Sequence, residues 1–224
     1  MTLTGLLGGS FNPAHRGHRA LSLGVLDRLG LDEVWWLVSP GNPLKPAKGM
    51  APFAARFASA RRMARRAPIR VTAIEAELGT RYTVDTLAAL IRRFPDRRFV
   101  WLMGADNLAQ FHRWRDWRKI AAMVPIAVIA RPGYDARAQK APAMGWLRRF
   151  VRPAAEVRNR TCWRLPSLVL LDLPPDPTSA TAIRAADPDW HESVIETFQY
   201  QGLRDGVTRR KLAEPRKQRR QFAR

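Results

Sequence analysis

The sequence predicts an α/β domain, a doubly wound parallel sheet with a small helical appendage at its C-terminal end. Three observations predict it. Short apolar runs of strand length recur along the chain, amphipathic runs of helical period lie between them, and glycine- or proline-containing turns punctuate the joins. Strands that alternate with helices imply right-handed βαβ units and a parallel sheet covered on both faces. In such sheets ligands bind beyond the carboxyl ends of the strands, where the strand order reverses.

Each element has its own signal. Leu3 to Gly8 is an apolar run that ends in glycines, hence a buried strand entering a turn. Gly17 to Leu29 places Leu21, Val25, Leu26 and Leu29 on one helical face. Val34 to Val38 is a second buried strand, stopped by Ser39-Pro40-Gly41-Asn42-Pro43. Pro52 to Ala67 is a helix with proline near its first turn. Ile69 to Ile74 is the third strand, and Thr83 to Arg93 a helix that turns Val84, Leu87, Leu90 and Ile91 inward. Phe99 to Met103 is a strand that ends at Gly104, Asp116 to Met123 a short helix, and Pro125 to Ala130 a strand closed by Arg131-Pro132-Gly133. From Tyr134 to Pro166 the pattern weakens, which predicts a lid or surface excursion. Leu168 to Leu173 is the last strand, followed by helices at Thr181 to Ala186 and Trp190 to Tyr200. The folded domain is thus expected over 1–203.

Composition narrows the function classes. The chain has 224 residues with 46% hydrophobic content, enough for a sizeable core. No run of about 18 uncharged apolar residues occurs, so no membrane-spanning helix is expected. The first residues lack a basic segment, and Cys162 is a single cysteine; both fit a cytoplasmic protein without internal disulfides. The 39 Lys and Arg against 19 Asp and Glu give a net charge of +20, which favours polyanionic partners. Much of the excess lies in 204–224, expected to be a flexible basic tail. That tail is either a solvated extension or an arm for RNA, membrane or a protein. Nucleic acid is expected to bind only there, since no helix-turn-helix, zinc-finger or RNP signature appears.

Three segments carry chemistry. Gly8-Gly9-Ser10-Phe11-Asn12-Pro13-Ala14-His15-Arg16-Gly17-His18 follows the first strand and opens a helix. Its glycines let backbone approach a polyphosphate, and the helix start presents free N–H groups. His15 and His18 can reach one anion; they can also be structural, or a metal pair, although no Cys or His cluster accompanies them. Thr178 to Arg184 is a hydroxyl-rich helix start with an arginine one turn in, which suits either a cap or a phosphate contact. Gly104 to Trp117 follows the fourth strand and holds Trp114 and Trp117 in an arginine-rich stretch. Two tryptophans at that spacing are core residues or a stacking platform for a flat heterocycle.

The first segment resembles the G-G-[ST]-F-[DN]-P-x-H-x-G-H signature of the nucleotidyltransferase superfamily, a Rossmann-like fold. The resemblance implies that Gly8, Gly9, Ser10 and Phe11 bind ATP phosphates and that His15 and His18 stabilise charge at the α-phosphate. Residues 179–184 look like the superfamily's late Ser/Thr-Arg motif, which implies phosphate contacts from Ser179, Thr181 and Arg184; Ala180 departs from it. Gly104 to Trp114 is similar to the G-x-D-x-L-x-x-F-x-x-W region of bacterial nicotinate-nucleotide adenylyltransferases. Tyr82 to Leu87 matches their S-Y-T-x-x-T-L except at Arg81, and Gly41 to Lys45, Ala130 to Gly133 and Phe198 to Leu203 fit the same family.

This likeness implies a nicotinate pocket formed by Thr83, Trp114 and Trp117, with Asp106 and Asn42 shaping it. Asn107 has the lesser role, Lys45 meets a phosphate, and Gly104 and Asp106 also face ATP. The implied reaction is attack of the 5′-phosphate of nicotinate mononucleotide on the α-phosphorus of ATP, with Mg²⁺ carried on the ATP and pyrophosphate leaving. The nucleophile is already an anion, so no general base is needed. His15, His18 and Arg184 would be the catalytic set. A phosphopantetheine adenylyltransferase is the nearest rival, though such chains are shorter and lack the 104–114 region. A basic nucleic-acid-binding protein on the same fold is the rival from another class.

Overall fold

A computed structural model describes residues 1–41, 49–129, 140–159, 164–174, 176–197 and 203–212. Six parallel strands form one sheet in the order β3-β2-β1-β4-β5-β6. They are β1 (Thr2–Gly9), β2 (Glu33–Val38), β3 (Ile69–Thr72), β4 (Arg97–Gly104), β5 (Ile126–Ile129) and β6 (Leu168–Leu171). The order runs outward from β1 to β3 and then returns through β4, so the switch point lies between β1 and β4. The predicted Rossmann-like α/β architecture is the observed one.

Side-chain alternation explains why the middles of the central strands are apolar. Leu3, Leu7, Trp36, Val38, Val100 and Leu102 point to one face, into a core with Val25 and Leu29 of α1 (Arg16–Leu29) and Phe57 of α2 (Phe53–Met63). Leu6, Trp35, Leu37, Trp101 and Met103 point to the other face, against Val84, Leu87 and Leu90 of α4 (Thr83–Arg93). Ile91, expected to face inward with them, is exposed instead, next to Leu90 on the far side of the last helical turn. Burial on both faces leaves the middle of the central strands without a polar residue facing water. Beyond the end that holds the site, Glu33 is buried and accepts from Trp35 Nε1 at 2.7 Å, and it pairs with Arg70 and Arg97.

Three further expectations need correction. Ile74 belongs not to β3 but to a helix, α3 (Ile74–Leu78). The Thr72 hydroxyl accepts from the Ile74 N–H at 3.1 Å and donates to Asp205 at 2.8 Å, which ends the strand. Residues 134–166 are not a surface excursion over their central part. There α7 (Met144–Leu147) and α8 (Ala154–Arg158) bury Ala143, Met144, Leu147 and Val157 in the two cores. These short helices carry too few turns to show a period in sequence.

The third correction concerns the tail, which does not begin at residue 204. Leu203 is buried against Trp190 and Val194 of α10 (Trp190–Thr197), and Arg204 pairs with Lys211 in an antiparallel bridge. Asp205 is buried and accepts four hydrogen bonds: from Thr72 Oγ1, the Ala73 N–H, and the Val207 and Thr208 N–H groups. The Gly206 N–H donates to the Val71 carbonyl at 2.8 Å. The segment is fastened to the edge strand β3. The tail residues 213–224, like Asn42, Lys45, the Ala130 to Gly133 turn and residues 198–202, lie outside the described residues.

Candidate active site

The site grows from the end of β1. Gly8, Gly9 and Ser10 pass into a loop whose Phe11 has φ 48°, a left-handed conformation unfavourable for a bulky side chain. Packing holds it there: the Phe11 ring stacks on Trp36 at 5.0 Å and touches His18 at 4.9 Å. Asn12 ties the loop to the chain after β2, donating to the Gly49 carbonyl at 3.0 Å and accepting from the Ala51 N–H at 3.2 Å.

His15 caps α1 in an extended conformation and is 5% exposed. Its ring centre lies 3.9 Å from that of His18, one helical turn on. The His15 N–H donates to His18 Nδ1 at 3.3 Å. A ring nitrogen that accepts carries no proton, so the neutral His18 ring bears its hydrogen on Nε2, the atom able to donate to a phosphoryl oxygen.

The late Ser/Thr-Arg segment meets this loop directly. Ser179 caps α9 (Ala180–Ala186), its hydroxyl accepting from the Ala182 N–H at 3.1 Å. Arg184 donates from Nη1 to the Asn12 carbonyl at 2.6 Å and from Nη2 to Thr181 Oγ1 at 3.3 Å. Gly17 permits the approach, because a Cβ there would stand 3.0 Å from the His15 ring and 3.3 Å from the Thr178 carbonyl. Hydrogen bonds from Thr178 hold the exposed Asp176 carboxyl below its ordinary range, with Arg16 and His15 adding to the effect. Segments 172 residues apart in sequence thus form one cluster of cations and hydroxyls around the loop.

Beside the loop, across the switch point, lies a cavity. Gly8, Gly9, Ser10 and Ser39 line it. Thr83, Trp101 and Trp114 line it too, the Trp101 ring lying so close to Gly8 that a Cβ there would stand 2.8 Å from it, and Glu75, Arg81, Tyr82, Asn107, Gln110, Arg113 and Arg115 complete the lining. Trp114 meets Trp101 edge-on at 6.1 Å and Phe111 at 5.4 Å, which fixes its ring. Arg115 lies over the Tyr82 ring at 4.9 Å and joins α4 to the Trp114 loop. Buried Trp101 Nε1 has no hydrogen-bond partner among the described residues. Burial raises the Glu75 carboxyl to about 7, opposed by the hydrogen bond from Thr86.

The predicted residues therefore separate. Gly8, Gly9, Ser10, Thr83 and Trp114 line the cavity, while Phe11, His15, His18, Ser179, Thr181 and Arg184 gather around the loop. Trp117 stands apart from both. Asp116 adopts φ 49° and turns the chain, so that the Trp117 ring packs against Phe111 at 5.6 Å and Trp146 at 5.4 Å. Asp106 folds back over Gly104, with Oδ1 only 2.5 Å from the place a Cβ would take. Asn107, and not Asp106, reaches the cavity lining in α5 (Ala105–Gln110).

Glu75, Arg81, Trp101, Arg113 and Arg115 were not anticipated as lining residues, and nothing periodic marks them. Arg56 was missed too, yet it shares a helical face with Phe53, Phe57 and Ala60, where a charge is conspicuous.

The chain is similar to known proteins over most of its length. The cytidylyltransferase-like family model matches residues 6–186. A protein of Erythrobacter litoralis named probable nicotinate-nucleotide adenylyltransferase is 68% identical over 187 residues, covering 84% of this chain and 85% of its own. A relative from Parvibaculum lavamentivorans with the same name is 56% identical over 180 residues, covering 80% and 90%. Among solved structures, the nicotinic acid mononucleotide adenylyltransferase of Plasmodium falciparum complexed with NaAD superposes with a TM-score of 0.63. The match has 15% identity and covers 88% of this chain and 96% of that one; it shows the fold. With the loop, the late arginine and the cavity all inside the matched span, the chain belongs to the cytidylyltransferase-like family.

Proposed function

We propose that this protein is a nicotinate-nucleotide adenylyltransferase, which joins the adenylyl group of ATP to nicotinate mononucleotide in NAD biosynthesis. The observation that carries the reading is that Gly8, Gly9 and Ser10 belong both to the loop and to the cavity lining. The loop runs on to the His15–His18–Arg184 cluster, and its first residues line the cavity together with Thr83 and Trp114. A polyanion on the loop and a flat mononucleotide in the cavity would meet at the switch point. The names of the relatives at 68% and 56% identity support the same chemistry.

The reaction needs two anions held in line and their repulsion offset. ATP arrives as its magnesium complex, a substrate in that form. The loop N–H groups, His18 through Nε2–H, and Arg184 would hold the triphosphate. His15 sets the tautomer of His18 through its N–H and fixes the start of α1. Trp114 offers a rigid face for the pyridine ring, and Thr83 stands at the first turn of α4 beside it. The mononucleotide 5′-phosphate then forms a bond to the α-phosphorus as the bond to pyrophosphate breaks. Both reacting groups are anions throughout, so no side chain has to remove a proton. Asn42 and Lys45 are proposed on the family resemblance to serve the mononucleotide side. No described helix is long and apolar enough to cross a membrane; a cytoplasmic location is proposed together with the reaction.

A substrate panel tests the reading. Purified chain with magnesium and ATP is offered nicotinate mononucleotide, nicotinamide mononucleotide or phosphopantetheine in turn, and pyrophosphate release is followed. Fastest release with nicotinate mononucleotide is expected. Release only with phosphopantetheine would overturn the assignment.

A further inference from the structure

Arg56 lies in α2 with 1% of its surface exposed, behind the ends of β1 and β2. Nε donates to the Ala51 carbonyl at 3.1 Å, and Nη1 donates to the Ser10 carbonyl at 2.6 Å and the Ser39 carbonyl at 2.8 Å. Nη2 approaches the Pro40 carbonyl at 3.5 Å, and the guanidinium sits 5.2 Å from the centre of the Phe53 ring. No carboxylate pairs with it among the described residues. Burial lowers its pKa to about 10, which leaves it a cation at neutral pH. A buried cation facing carbonyl dipoles without a counter-ion is costly, and a fold that keeps one has a use for it.

The bonded carbonyls locate that use. Ser10 lines the cavity wall, and Ser39 and Pro40 begin the loop after β2. A trans peptide holds its C=O and N–H antiparallel. Anchoring the Ser10 carbonyl on Arg56 therefore turns the Phe11 N–H away from the guanidinium, and anchoring Pro40 does the same for the Gly41 N–H. No described group accepts a hydrogen bond from either N–H. We propose that Arg56 is a positioning residue for the ATP polyphosphate. It locks the peptide planes at Ser10 and Pro40 so that their following N–H groups face the anion, and it keeps behind them a positive charge whose counter-ion is that anion. This rests on the adenylyl-transfer reading given above.

The test uses full-length Arg56→Gln and Arg56→Lys proteins beside the parent. Calorimetry measures binding of inorganic tripolyphosphate with magnesium, and steady-state kinetics gives KM for ATP and for nicotinate mononucleotide separately. Arg56→Gln is expected to lose about 10- to 100-fold in tripolyphosphate affinity, the scale of a charge-assisted contact. Its KM for ATP rises while that for the mononucleotide stays near the parent's. Arg56→Lys keeps the charge but cannot span several carbonyls, and recovers part of the loss. Folded variants with parental tripolyphosphate affinity overturn the proposal. So does an equal rise in both KM values, or failure of both variants to fold, since each assigns Arg56 to the scaffold alone. A parent that makes dinucleotide but binds no tripolyphosphate also overturns it. A parent that makes no dinucleotide defeats the proposed function instead.

Discussion

Replacing Glu75 with glutamine removes a charge that the fold disfavours while keeping the side chain's shape and its acceptor for Thr86. Burial raises the Glu75 carboxyl from 4.5 to about 7, and the Thr86 hydroxyl at 3.4 Å only partly opposes it. The sign follows from proton binding. Between those two values the folded chain holds a proton at Glu75 that the unfolded chain has lost, so stability falls as pH rises. The loss begins near pH 4.5 and levels off above pH 7. The displacement corresponds to at most about 3 kcal/mol, and solvent entering the cavity that Glu75 lines reduces it. Glu75→Gln should therefore match the parent near pH 4.5 and exceed it by about 1–3 kcal/mol at pH 8. Urea unfolding at constant ionic strength, run at several pH values between 4.5 and 8, measures the difference. A gap that does not change with pH, or a variant weaker than the parent at pH 8, would refute the reasoning.

Other perturbations test the site and the anchor. His18→Ala, with its fold retained, should lower kcat by about 10²–10³-fold, the scale of a deleted charge-stabilising donor; turnover near the parent's would remove that role. Trp114→Ala should raise KM for the mononucleotide by about 10-fold through lost stacking, and Trp114→Phe by less; an unchanged KM would take Trp114 out of the pocket. Asp205→Ala leaves four donors without their acceptor and should cost about 3 kcal/mol in chemical unfolding, whereas truncation after Leu212 should cost little. Equal stability of Asp205→Ala and the parent would show that the 203–212 segment is not fastened as described.

The parts of this molecule that are legible in sequence are those whose causes are local. The Gly8 to His18 loop is contiguous, so its phosphate-binding logic is visible without a fold. The central strands announce themselves because both of their faces are buried, and Thr83 to Arg93 shows its limits because one helical stripe is apolar along its length. What stays hidden depends on distant partners. Ile74 reads as strand because the residue that stops β3, Asp205, arrives from 133 positions beyond Thr72. Trp117 sits three residues from Trp114, which suggests a shared platform, yet the left-handed turn at Asp116 sends its ring to Trp146. Glu75, Arg81 and Trp101 reach one cavity only once α3, α4 and β4 are assembled. Arg56 differs in kind: a charge on an apolar helix face stands out in sequence, but its carbonyl partners at Ser10, Ser39 and Pro40 come only with the fold.

The central claim is bond formation at the α-phosphorus of ATP beside the Gly8–Ser10 turn. Incubation of the protein with nicotinate mononucleotide and ATP labelled at the α-phosphate, followed by separation of the products, tests it most directly. Label in the dinucleotide, with unlabelled pyrophosphate released in equal amount, is the predicted result. Label left in AMP or ADP, with no labelled dinucleotide, would contradict the account.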